Sequence, residues 1–190
     1  MMNISKIAEC AEKIGFCTED QLIKLTKQEC KVNKLKLNVR KSETRGITEN
    51  NYNVFYSKER DLFISIEQPL KEINKEYLQI VDVFIKLNEI LCIFDYKKEK
   101  YKKDNILRFI NKKSDTEYEC YSMIYYLPSN RSYIEALINS SILGYSIVLV
   151  LNGEHLDNYK ELKISAGINC IYTTIIDNSL QIGTSIKNIS

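Results

Sequence analysis

The sequence predicts an α+β protein in two parts: three helices closed by a short antiparallel ribbon, then a helix leading into a small α/β arrangement. Three observations carry this. Apolar residues recur at helical spacing through residues 4–39, two short strand-like runs lie between residues 53 and 66, and apolar runs of strand length follow one another beyond residue 90.

The elements follow in order. Ile4, Ile7, Ala8, Ala11 and Ile14 make residues 3–14 an amphipathic helix, stopped by Gly15. Thr18-Glu19-Asp20-Gln21 has the form of a capping box, in which the Thr18 hydroxyl and the Gln21 amide satisfy orphan backbone groups; Leu22, Ile23 and Leu25 continue the second helix. Val32, Leu35 and Val39 suit a third helix, although Leu35, Leu37 and Val39 also alternate as a strand would; the helix is the favoured reading. Arg45-Gly46 and the polar Thr48 to Asn53 read as a turn, and Asn53 to Ser57 and Asp61 to Ile66 as two strands. Pro69 then introduces Leu70, Ile73, Tyr77, Ile80, Val81, Phe84 and Leu87, which predicts a helix over residues 69–88. Ile90 to Tyr96, Asn105 to Asn111 and Glu117 to Leu127 read as strands, and Ser129 to about Leu143 as a helix. Tyr145 to Leu151 is a continuous apolar run that suits a buried parallel strand reached by a crossover. A helix near Leu156 to Ala166 and a strand Asn169 to Ile176 complete an order of α-β-β-β-α-β-α-β, and the domain boundary is expected at residues 68/69.

Composition excludes several classes. With 190 residues, 44% hydrophobic and 27% charged, the chain has the content of a globular protein rather than a disordered one. Its most apolar stretch, Ile142 to Leu151, falls short of the roughly 18 residues a membrane span needs, and Met1 to Lys13 lacks a secretory apolar region, so a cytoplasmic protein with no membrane role is expected. The six cysteines form no C-x2-C or C-x4-C pair and His155 is the only histidine, which argues against zinc sites, disulfide frameworks and histidine-based catalysis, and suggests cysteines buried as small apolar residues. No glycine-rich phosphate loop occurs, so no cofactor and no metal is expected. The 27 Ile, 17 Asn and 13 Tyr against 2 Pro suit an AT-rich genome.

Charge is unevenly placed on a chain whose net charge is only +2. Residues 24–45 carry eight Lys/Arg against Glu29 and Glu43, which makes Lys24 and, above all, Lys27, Lys31, Lys34, Lys36, Arg40, Lys41 and Arg45 candidates for facing phosphates. Residues 97–113 carry eight more against Glu99 and Asp104 and resemble an exposed hairpin turn. Tyr118, Tyr121, Tyr125, Tyr126 and Tyr133 cluster, and half-buried sheet positions explain them better than stacking on bases does.

Helix, helix, helix and ribbon is the order of a winged helix. Residues Ile7 to Thr26, and especially Ile14-Gly15-Phe16-Cys17-Thr18-Glu19-Asp20-Gln21-Leu22, resemble the opening of the replication-relaxation proteins and related winged-helix accessory proteins of Gram-positive plasmids and conjugative elements. That resemblance implies a DNA-binding domain over residues 1–68. The order of residues 69–190 is similar to the restriction-endonuclease-like core, whose active members hold a divalent cation with an Asp at the second strand and a Glu-x-Lys on the third. Asp104, Glu117 and Glu119 stand near those places, but neither Glu117-Tyr118-Glu119 nor Glu119-Cys120-Tyr121 supplies the lysine, which implies a degenerate, non-catalytic core unless Lys112 or Lys113 reaches around from the hairpin.

The expected function is therefore a DNA-binding accessory protein of a plasmid or other mobile element, gripping double-stranded DNA through the basic winged helix, with the second domain serving dimerisation or docking of a protein partner. A protein-binding adaptor or inhibitor from a mobile element is the first alternative. A metal-dependent nuclease using Asp104 and Glu119 is the second.

Overall fold

In the computed structural model the described residues are 4–45, 52–153 and 162–183, with side chains described outside 38–45. They form a mixed α+β protein with one three-stranded and one six-stranded sheet. The chain falls into two compact units, Met1–Val81 and Asp82–Ser190, the division lying inside a helix. No helix among the described residues is long and apolar enough to cross a membrane.

The first unit runs α1 (Ile4–Ile14), β1 (Phe16–Thr18), α2 (Glu19–Thr26), α3 (Glu29–Arg45), β2 (Val54–Ser57) and β3 (Leu62–Ser65), and closes with the first turns of α4 (Lys75–Ile90). Gly15, at φ +83°, ends α1 by donating to the carbonyls of Ala11 and Glu12, each at 3.0 Å. Thr18 and Gln21 complete the capping box in both directions: Gln21 N donates to Thr18 Oγ1 (3.1 Å) and Thr18 N to Gln21 Oε1 (3.0 Å). The three-residue β1, too short to show a period, was not foreseen; it pairs antiparallel with β3, which also pairs with β2, giving the order β1-β3-β2. Ile7, Ile14, Phe16, Leu22, Val32, Leu35, Phe63 and Ile64 are buried to 1% exposure or less and form the core. In α3, Val32 and Leu35 are buried while Leu37 is 56% exposed, which is helical and not strand periodicity.

The helix expected over residues 69–88 starts later. Pro69 introduces a single 3-10 turn, Leu70–Glu72, and α4 begins after Asn74, whose Oδ1 accepts from Tyr77 N at 2.9 Å as an N-cap. Tyr77 and Leu78 of α4 belong to the first unit: the Tyr77 ring lies 4.8 Å from that of Phe16, its hydroxyl donates to Ile14 O (2.8 Å), and Gln21 Nε2 donates to Leu78 O (2.9 Å).

The second unit holds the later turns of α4, then β4 (Ile93–Tyr101), β5 (Asp104–Lys112), β6 (Tyr118–Tyr125), α5 (Arg131–Asn139), β7 (Ser146–Val150), β8 (Asn169–Ile176) and β9 (Ser179–Gly183), in sheet order β4-β5-β6-β7-β8-β9. β4, β5 and β6 form an antiparallel meander; α5 crosses over to bring β7 parallel to β6, and β8 is parallel to β7. One sheet face packs under α5, through Ile106, Ile124, Ile134, Leu137, Ile138, Ile147 and Leu149. The other takes Phe84 of α4, whose ring lies 5.0 Å from Tyr96 and 5.8 Å from Phe109.

Two further expectations are corrected. Residues 162–166, assigned to the end of a helix from Leu156, are not helical; the rest of that segment lies outside the described residues. Leu162 and Ile164 are buried while Lys163 and Ser165 are exposed, a period of two. Polar side chains of α5 hold this extended piece: Glu135 Oε1 accepts from Lys163 N (2.8 Å), Asn139 Oδ1 accepts from Ser165 N (2.8 Å) and Asn139 Nδ2 donates to Lys163 O (3.0 Å). The chain also does not end its sheet at Ile176. Asp177 and Asn178, both at positive φ, make the two-residue turn that favours a hairpin, and β9 returns along β8.

Candidate nucleic-acid interface

The basic residues of the first unit lie on α2, on the turn after it, and on α3. Lys24 is exposed near the end of α2, and Lys27 is exposed in the left-handed conformation (φ +53°) that ends it, donating its N–H to Ile23 O. Lys31, half-buried on the flank of the face that buries Leu35, and Lys34, exposed, lie one turn apart on α3. Among the described residues, Lys27, Lys31 and Lys34 make no ion pair, so their ammonium groups are available to an anion. Arg40, Lys41 and Arg45 have their backbone in α3, and their side chains lie outside the described ones.

Lys36 differs from its neighbours. Its ammonium donates to Glu19 Oε2 at the start of α2, lies 3.9 Å from Asp61 Oδ1, and stands 4.3 Å from the centre of the Tyr56 ring. The Tyr56 hydroxyl in turn donates to Asp61. Burial disfavours the charged form of Lys36, but hydrogen bonds to Glu19 and Tyr56 outweigh it and hold the ammonium above its ordinary lysine value. Only 18% of the side chain is exposed. Lys36 is a tie between α2, α3 and the β2–β3 ribbon, and its charge is spent on carboxylates rather than offered outward.

The ribbon tip supplies cations that sequence reasoning passed over. Lys58 and Arg60 sit exposed in the turn between β2 and β3, where Asp61 takes φ +54°. The signal in the sequence is Ser57-Lys58-Glu59-Arg60-Asp61, two cations between two strand-like runs. Asn33, next to Lys34 in α3, is also exposed.

In the second unit the two carboxylates considered for a metal site are not neighbours. Asn111 stands opposite Glu119, and Asp104 is seven residues from Asn111 along β5, about 23 Å at roughly 3.3 Å per residue. They also face opposite ways. Asp104 points to the α5 side and accepts from the Tyr133 hydroxyl (2.5 Å); burial, and then this bond, push the Tyr133 phenol up to about 12. Glu119 lies on the side of Tyr121, whose ring stacks on Phe109 at 5.0 Å. Lys113 does reach around from the hairpin, to Glu119 Oε2 at 2.5 Å. Tyr121 and Ser146 add hydrogen bonds of 2.7 and 2.9 Å. Burial would raise the Glu119 carboxyl, but these partners outweigh it and hold it below the usual carboxylate range. Glu119 is thereby engaged, and no group of three His, Cys, Asp or Glu able to hold a metal occurs among the described residues.

The cysteines divide evenly. Cys10, Cys17 and Cys170 are buried as expected, but Cys30, Cys92 and Cys120 are exposed, and all six are free thiols. His155 lies outside the described residues. Of the clustered tyrosines, Tyr126 is buried, Tyr121 and Tyr133 bind carboxylates, and Tyr118 is 47% exposed.

Compared with known proteins, the chain matches no protein-family model and no curated protein.

Proposed function

We propose that this protein binds double-stranded DNA through a winged helix in its first unit, as an accessory protein of a plasmid or other mobile element. One observation carries the reading: the order α1-β1-α2-α3-β2-β3, with β1 joining β3 at the sheet edge, is that of winged helices, and unengaged cations lie on its second and third helices and at its ribbon tip. In this reading α3 enters the major groove, Lys31 and Lys34 meet phosphates at the groove edge, Asn33 is placed to read a base, and Lys58 and Arg60 on the wing hold the flanking backbone. Lys36 sets the angle between wing and helix instead of touching DNA. The mobile-element role rests on the resemblance of Ile14 to Leu22 to the replication-relaxation proteins. The meander-crossover order of the second unit is consistent with a restriction-endonuclease-like core without a working site, serving assembly.

Fluorescence anisotropy on labelled duplex DNA tests the reading. Replacing Lys31, Lys34, Lys58 and Arg60 together by Ala is expected to weaken binding at least tenfold; unchanged affinity rejects it.

A further inference from the structure

The six-stranded sheet ends in two unlike edges. β4, at one of them, is guarded: Lys97, Lys98, Glu99 and Lys100 line it, and its register with β5 is broken by a bulge between Ile93 and Asp95. Charge and irregularity of that kind keep an exposed strand from pairing with another chain. β9, at the other edge, has neither. Ser179-Leu180-Gln181-Ile182-Gly183 carries no charge and no proline, and it pairs with β8 in unbroken register. No strand lies beyond it among the described residues.

The turn fixes which main-chain groups face outward. Asp177 and Asn178 make a two-residue turn, in which the flanking residues, Ile176 and Ser179, bond to each other. Alternation then turns the main-chain groups of Gln181 and Gly183 toward β8 and points the N–H and C=O of Leu180 and Ile182 away from it. Neither residue bonds elsewhere among the described residues. Side chains alternate too: Leu180 and Ile182 share one face, and Ile182 is 48% exposed. A two-fold axis through Gln181 lets a second copy meet all of these needs together. It sets Leu180 opposite Ile182 of the other copy, so that each outward N–H faces a carbonyl, and it covers the exposed Ile182 with a leucine. The apolar row then runs from Ile175 of β8 through Leu180 to Ile182 of the second copy. A foreign strand would find the same main-chain groups, but the match of Leu180 to Ile182 and the lack of charge at the axis are properties of β9 against itself.

We propose that β9 is a dimer contact, pairing antiparallel with β9 of a second copy about a two-fold axis through Gln181 and joining the two sheets edge to edge. The inference rests on the assembly role proposed for the second unit and gives it a surface; duplex binding by the first unit is independent of it. The contact is small, so a reversible dimer at micromolar concentration is expected rather than a permanent one. Sedimentation equilibrium of the full chain, from low to high micromolar concentration, tests it. Gln181 is exposed and meets its own counterpart across the axis, which makes it the diagnostic position. Gln181→Lys and Gln181→Glu should each weaken dimerisation about tenfold or more, because like charges then stand opposite one another. An equimolar mixture of the two variants should restore it, which also shows both to be folded. A chain monomeric throughout the range overturns the assembly role and this contact together, and is the result a foreign occupant of the edge would give. A dimer that both substitutions leave intact keeps the assembly role but overturns β9 as its site, as does a mixture of the two variants that stays monomeric.

Discussion

Lys36 and Glu19, seventeen positions apart, form an ion pair whose two side chains are only 18% and 24% exposed. It joins the third helix to the start of the second, and through Tyr56 and Asp61 it reaches the ribbon. Lys36→Met is therefore expected to destabilise the fold by about 1 to 3 kcal/mol, the cost of stranding a hydrogen-bonded charge, read as a fall in the urea midpoint. Lys34→Ala should stay within about 0.5 kcal/mol of wild type. Because the Lys36 ammonium is held above its ordinary value, its contribution is present at neutral pH and lost as pH rises through that raised value. The gap between wild type and Lys36→Met should therefore narrow at strongly alkaline pH; a constant gap contradicts the pairing.

Glu119 gives the opposite pH dependence. Its carboxyl is held below the ordinary value of 4.5 by Lys113, Tyr121 and Ser146, so the stability it contributes is present above that value and disappears as pH falls through the depressed one. Glu119→Gln should lower the urea midpoint at neutral pH and match wild type at the acid end.

The junction of α1, α2 and α4 depends on three polar contacts. Thr18→Ala should cost about 1 kcal/mol as a lost N-cap. Gln21→Ala should cost more, since it removes both the return bond from Thr18 N and the bond to Leu78 O. Tyr77→Phe leaves Ile14 O without its buried donor and should cost about 1 to 3 kcal/mol. Thermal denaturation of the three variants ranks them; Gln21→Ala equal to Thr18→Ala would show the Leu78 contact to be without effect.

The separation of Asp104 from Glu119 predicts that supercoiled plasmid incubated with Mg2+ or Mn2+ is not nicked through that pair. Nicking abolished by both Asp104→Ala and Glu119→Ala would contradict it.

Local signals in the sequence were legible: the Thr18–Gln21 box, the Gly15 stop, the apolar run that became β7, and the strand Asn169–Ile176, which lies where its pattern put it. Helix or strand for residues 32–39 was ambiguous, because Leu35 and Val39 fit both periods and Leu37 fits only the strand; the exposure of Leu37 depends on which face the core claims, a tertiary fact. The features that were not legible share that origin. Lys36 looked like its neighbours because its partners, Glu19 and Asp61, lie far off in the chain. The extended residues 162–165 are held by Glu135 and Asn139, which no local pattern announces. The ring pair Phe94–Tyr118 was hidden for the same reason: its members meet only once β4 and β6 are aligned.

Salt titration of duplex binding tests the central proposal most directly. Each phosphate neutralised releases counterions worth about −0.9 in the slope of log affinity against log salt, so about six contacts give a slope near −5. A slope of that size, made shallower by about 1 for each of Lys27→Ala, Lys31→Ala and Lys34→Ala and left unchanged by Lys36→Met, is the expected result. Absence of duplex binding at low salt, or a slope indifferent to all three alanine substitutions, would contradict it.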